Sequence, residues 1–144
     1  MGRRKPTKSK NEIGRVLLVE DEPLIALELE EALLEGGARE VLRCASIAET
    51  MQELDGNPPD VVIIDVHLAD RDDGWALAEL IGQLGGKRTQ IVFSTGAPQD
   101  IPPEIAGMGM VFAKPYNPAT LIAALKENGK PVGARLLGKL RAAL

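Results

Sequence analysis

The chain has 144 residues, 44% of them hydrophobic and 26% charged, the proportions of one soluble globular domain with a core of its own. No apolar run approaches the roughly 20 residues that cross a bilayer. The basic opening MGRRKPTKSK leads into no secretory-type apolar segment, and a lone cysteine, Cys44, excludes an internal disulfide, so a cytoplasmic location is expected. The net charge of −4 is uneven: residues 1–10 carry +5 and residues 127–144 carry +3, which leaves −12 on the rest. Such an acidic body disfavours direct nucleic-acid binding by the folded part.

Residues 1–12 are basic, polar and aperiodic, and read as a disordered arm ahead of a folded domain at 13–128. Arg15–Glu20 is a short apolar run of the kind buried on both faces of a sheet. Pro23 is suited to the first turn of a helix. From there Leu24, Ile25, Leu27, Leu29, Ala32 and Leu33 supply an apolar helical face, and Gly36-Gly37 ends it. Glu40–Ala45 predicts a second strand. Ser46 with Glu49 three residues on is a capping-box pattern for a helix to about Leu54.

Val61–Asp65 is the clearest strand, β-branched and closing on an acid. A polar turn over His67–Asp73 leads to a helix from Gly74 through Trp75 to Leu84. Gln90–Ser94 predicts the fourth strand. Residues 97–109 hold three prolines and two glycines, so the helix due there is expected to be short or irregular. Met110–Ala113 predicts the fifth strand and Pro118–Asn128 the last helix. Residues 129–144 form a basic tail in which Leu136, Leu140 and Leu144 recur at helical spacing beside Arg135 and Lys139. That is the pattern of a short amphipathic helix, able to dock on its own domain, dimerise or meet a membrane surface, though Gly133 and Gly138 weaken it. Strands alternating with helical stretches predict an α/β fold: a parallel sheet with helices on both faces.

In such a sheet, function gathers beyond the carboxyl ends of the strands. There the chain places Glu20-Asp21 after the first strand, Asp65 at the end of the third, Ser94-Thr95-Gly96 after the fourth and Lys114-Pro115 after the fifth. Clustered carboxylates repel unless a cation neutralises them. Mg²⁺ takes hard oxygen ligands, commonly one or two carboxylates with water and phosphate. Asp21 and Asp65 suit direct ligation, and the longer Glu20 suits contact through water. A carboxylate is also a nucleophile toward phosphorus. The Lys114 ammonium and the Thr95 hydroxyl suit the equatorial oxygens of a transferred phosphoryl group.

Four motifs carry a family resemblance: VLLVEDEP (Val16–Pro23), VVIIDV (Val61–Val66), FSTGA (Phe93–Ala97) and FAKPY (Phe112–Tyr116). In that order they resemble the receiver domain of two-component response regulators, over about residues 14–127. The resemblance implies a flavodoxin-like, doubly wound five-stranded sheet of order 2-1-3-4-5, and phosphotransfer from a sensor histidine kinase to Asp65 in a Mg²⁺-dependent reaction. It implies that Glu20 and Asp21 form the acid pocket, with Asp65 and the backbone carbonyl of His67 completing the metal shell. Thr95 is then the switch hydroxyl and Lys114 the phosphate-binding lysine, before a cis Pro115.

FSTGA is similar to the F-A-T-G-x signature of stand-alone alphaproteobacterial receivers found with HWE-type and related kinases, from which Ser94 and Ala97 depart. No output domain is recognisable after the receiver. A single-domain regulator, monomeric or weakly dimeric, acting through protein contacts or a phosphorelay on an unnamed partner, is therefore expected. Val111 stands where most receivers carry a switching aromatic, so output is expected through residues 97–109 instead. The resemblance implies a self-dephosphorylating phosphoacceptor, not an enzyme. A receiver-fold interaction module with an idle site is the alternative reading. A phosphatase of the haloacid-dehalogenase type would need a second acid two residues after Asp65, where His67 stands.

Overall fold

The computed structural model describes residues 13–54, 58–66, 80, 82–84 and 88–127. In chain order these form β1 (Gly14–Val19), α1 (Pro23–Gly36), β2 (Ala38–Cys44), α2 (Ile47–Glu53), β3 (Val61–Asp65), β4 (Gln90–Thr95), a 3-10 turn (Pro98–Asp100), α3 (Pro103–Ala106), β5 (Met110–Ala113) and α4 (Pro118–Glu127). Leu80 and residues 82–84 are helical. The expected arm at 1–12, the tail at 129–144, the start of the helix at Gly74-Trp75 and His67 lie outside the described residues.

The strands form one parallel sheet in the order β2-β1-β3-β4-β5, as expected for the doubly wound flavodoxin-like fold. All six residues of β1, all five of β3 and all but the first of β4 are buried, which explains why these strands read as unbroken apolar runs. Alternate strand residues serve opposite layers. Val16, Leu18, Ile63 and Val92 pack with Leu29 and Leu33 of α1 and Leu121 and Leu125 of α4. Leu17, Val19, Ile64 and Phe93 pack with Ile47, Leu80, Leu84 and Ile101 on the other side.

Local signals explain the helix ends. Pro23 opens α1, and Gly37 closes it at φ 120°, a left-handed position that disfavours a side chain; its N–H reaches the Leu33 and Leu34 carbonyls. At α2 the Ser46 hydroxyl accepts from the Glu49 N–H at 3.1 Å. The returning Glu49 carboxylate takes the Ala45 N–H at 2.6 Å, one residue ahead of the capping-box partner. The stretch 97–109 is indeed irregular, a 3-10 turn and a four-residue helix, because its prolines cannot donate backbone hydrogen bonds.

One expectation fails. Leu24 and Leu27 were assigned to the apolar face of α1 but are 78% and 43% exposed. The stripe against the sheet is Ala26, Leu29 and Leu33, flanked by Ile25 and Ala32. At 3.6 residues per turn, positions 24, 27, 31 and 34 fall on the opposite side.

Leu33 is fully buried under the sheet. Leu33→Ala is expected to cost about 2–5 kcal/mol, read as a lower urea midpoint with an unchanged denaturant slope.

Candidate functional site

The sheet register builds the site. Val19 pairs with Ile64, so Glu20 emerges level with Asp65. Asp65 pairs with Ser94, and Thr95 with Ala113, so Lys114 follows at the same edge. The Glu20 N–H still reaches the Cys44 carbonyl at 3.0 Å and the Lys114 N–H the Thr95 carbonyl at 2.7 Å, so the ladders hold the backbone where the functional residues leave it. The Lys114–Pro115 peptide is cis, as expected.

Glu20, Asp21, Asp65, Thr95 and Lys114 all line one open cleft of about 820 Å³. Asp65 is 4% exposed at its floor, while Asp21 lies exposed at its rim. The Lys114 ammonium sits between two carboxylates, 3.4 Å from Glu20 Oε1 and 3.5 Å from Asp65 Oδ1. The other Glu20 oxygen accepts from the Glu22 N–H at 3.2 Å. The Thr95 hydroxyl accepts from the Ala97 N–H at 2.9 Å, tying the end of β4 to the irregular stretch. A side chain on Gly96 would meet nothing within 4 Å, so its absence leaves that wall of the cleft open.

Charge in the cleft is unbalanced. Burial first, and then the neighbouring Asp65 carboxylate, raises the Glu20 pKa above its ordinary 4.5, even though the Glu22 amide and Lys114 pull it down. Burial pulls Lys114 downward, yet Asp65 and Glu20 outweigh it and the pKa rises above 10.5. Among the described residues, two buried acids and an exposed one share the Lys114 ammonium. Carboxylate oxygens of Glu20, Asp21 and Asp65 lie within 4.8 Å of one another, and all are hard donors, so the group fits a small divalent cation. Two oxygens bound directly to Mg²⁺ sit at most about 4.2 Å apart. Both Glu20 oxygens are already engaged, one by Lys114 and the other by the Glu22 amide.

Every expected site residue among the described ones reaches this cleft. Sequence reasoning missed a second layer. The Ser94 and Tyr116 hydroxyls share a hydrogen bond of 2.9 Å, and Tyr116 stacks obliquely on Phe112 at 5.4 Å between ring centres. Its phenol pKa is raised by burial, opposed by the Ser94 bond. Both residues stood in the motifs, and a hydroxyl pair at adjacent strand ends was the available signal. Val111, 37% exposed, turns its side chain toward the surface. Asp100 and the backbone of Glu22 also belong to the surroundings of the cleft.

The family model for the response regulator receiver domain matches residues 16–126. The Phyllosphere-induced regulator PhyR of Methylorubrum extorquens is 30% identical over 119 residues, covering 78% of this chain and 42% of that protein. The sensory transduction protein LytT of Enterococcus faecalis is 36% identical over 85 residues, 58% of this chain and 34% of that protein. The chain thus spans less than half the length of either relative. Among solved structures, a CheY-like response regulator receiver domain from Methylobacillus flagellatus superposes with a TM-score of 0.66 at 25% identity, covering 79% of this chain and 97% of that one. The chain belongs to the response regulator receiver domain family. Receiver domains are signalling modules of two-component systems rather than enzymes in the usual sense. No described helix is long and apolar enough to cross a membrane.

Because Glu20 is held above its usual pKa, the folded chain keeps its proton longer than the unfolded chain. That contribution to stability is present below pH 4.5 and is lost as pH rises through the folded value. In the absence of divalent cations, Glu20→Gln should therefore match the wild type near pH 4. At pH 8 it should be the more stable by about 1 kcal/mol, the size of one like-charge contact in a well-solvated cleft. Paired urea titrations at the two pH values check this, and a less stable variant at pH 8 contradicts it.

Proposed function

We propose that the chain is a phosphoacceptor switch in which Asp65 takes a phosphoryl group from a phosphohistidine on a sensor histidine kinase. The observation that carries this reading is the position of Asp65: a buried carboxylate at the floor of an open cleft, with Lys114 at 3.5 Å and two further acids beside it. One Asp65 oxygen attacks phosphorus as the phosphorus–nitrogen bond breaks, and the imidazole nitrogen leaves with its electron pair. Phosphoryl transfer needs positioning and neutralisation of charge more than covalent assistance. Lys114 is placed to meet an equatorial oxygen and to exchange its Glu20 and Asp65 contacts for the new dianion. Thr95, at the end of β4, is placed to turn its hydroxyl from the Ala97 amide toward the phosphoryl group and so release residues 97–109. Mg²⁺ held by Asp21 and Asp65, with Glu20 behind them and the His67 carbonyl completing the shell, supplies charge neutralisation when bound.

Output then runs through a two-state change at the surface that follows Thr95. The reading extends to a cytoplasmic regulator acting by protein contacts or a phosphorelay. The FSTGA strand end supports an HWE-type or related kinase as donor.

Incubation with a phosphorylated histidine kinase and Mg²⁺ should label the wild type and leave Asp65→Asn unlabelled. Undiminished labelling of that variant overturns the assignment. Lys114→Ala should slow labelling by about a hundredfold or more, the usual loss for one charge-stabilising donor. If calorimetry with Mg²⁺ shows no binding at any concentration up to millimolar, the domain is an interaction module with an idle site.

A further inference from the structure

The outer face of α1 is built unlike the surface of an isolated helix. Leu24, Leu27 and Leu34 are 78%, 43% and 47% exposed, and they lie along one stripe. Glu31 stands within that stripe and Glu28 and Glu35 border it on one side, all exposed. α1 carries four glutamates and no basic residue. Glu30 turns aside to Arg43 at 3.2 Å, whereas Glu28, Glu31 and Glu35 have no ion-pair partner among the described residues. An apolar stripe bordered by unmatched acids fits a segment that is apolar on one side and basic beside it.

We propose that this face of α1 is the docking site of the chain's own C-terminal segment, residues 132–144. Residues 132–144 carry Arg135, Lys139 and Arg141 and no acidic side chain, three positive charges against the three unmatched glutamates. As a helix, the segment brings Leu136, Leu140 and Leu144 to one side, with Arg135 and Lys139 along one border and Arg141 along the other.

The fold puts the segment within reach. α1 and α4 each follow a parallel strand, so both run from the carboxyl edge of the sheet to its amino edge, and they pack together. Their approach is close enough that a side chain on Gly36 would meet Ile122 Cγ2 at 2.5 Å. The chain therefore leaves Glu127 near the Leu34 end of α1. Residues 128–131 span up to roughly 14 Å when extended, more than the separation of about 8–10 Å between packed helices. A 13-residue helix is about 20 Å long, against about 21 Å for the 14 residues of α1. Running back along α1, it ends beside Leu24, next to the Pro23 that lines the cleft. The charge also decides against the other occupants. A second copy would set one acidic α1 against another, and an anionic lipid surface would repel it. The inference does not depend on phosphorylation of Asp65.

The test is a nitroxide tag on Ala142→Cys in the full chain; Cys44 is 1% exposed and stays unlabelled. The amide signals of Leu24, Leu27 and Leu34 should lose intensity, while those of β3, across the sheet, keep theirs. Charge reversal at Glu28→Lys, Glu31→Lys and Glu35→Lys should restore the signals. Adding Arg135→Glu, Lys139→Glu and Arg141→Glu to that variant should broaden them again. Unaffected α1 signals in the tagged protein overturn the proposal. So does equal broadening in a mixture of isotope-labelled untagged chain with tagged unlabelled chain, which would make the contact one between copies.

Discussion

Among the described residues, the Lys114 ammonium stands between two buried carboxylates at the carboxyl edge of this sheet. Lys114 enters from β5, Glu20 from β1 and Asp65 from β3, and the strand register alone brings the three to one level. The contacts are a little long for tight ion pairs, at 3.4 and 3.5 Å, as expected of a cation shared rather than claimed by one partner. Burial first, and then the neighbouring Asp65 carboxylate, is why Glu20 resists ionisation. Carboxylates set this close repel one another, and any cation among them lowers that repulsion.

Much of this was legible because the determining signals are local. β3 and β5 were readable to the residue, since β-branched and apolar runs bounded by polar turns leave little freedom of assignment. The four strand-end motifs placed Glu20, Asp21, Asp65, Thr95 and Lys114 before any contact was known. The outer leucines of α1 were not legible. Seven apolar residues in 24–33 are compatible with several helix rotations, and only packing against Leu18 and Leu121 selects the stripe through Ala26. The Ser94–Tyr116 bond was hidden for a related reason. It joins residues 22 apart in sequence, and the two hydroxyls read as a pair only once β4 and β5 are set side by side.

The irregular segment after β4 illustrates how composition sets local stability. Prolines and glycines leave it a 3-10 turn and one helical turn, with Ile101 as its buried anchor. Its backbone hydrogen bonds close separate short turns rather than one continuous helix, and such short elements open at lower cost than a full helix would. Its first residue, Ala97, is already tied to the Thr95 hydroxyl. With Val111 facing outward, the Ser94–Tyr116–Phe112 layer is the aromatic contact adjoining that hinge.

The two acids that follow β1 differ in how tightly they are held. Glu20 is fixed by the β2 ladder through its amide and by Lys114 and the Glu22 amide through its carboxylate, whereas Asp21 stands exposed one residue beyond. Freezing a side chain costs rotamer entropy that a prearranged group has already lost. Glu20 therefore adds field to the cleft at no further ordering cost, while Asp21 must be immobilised each time a ligand arrives. A ligand reaching both acids would thus meet its ordering cost at Asp21 alone, so the affinity of the cleft is set more by its mobile rim than by its rigid floor.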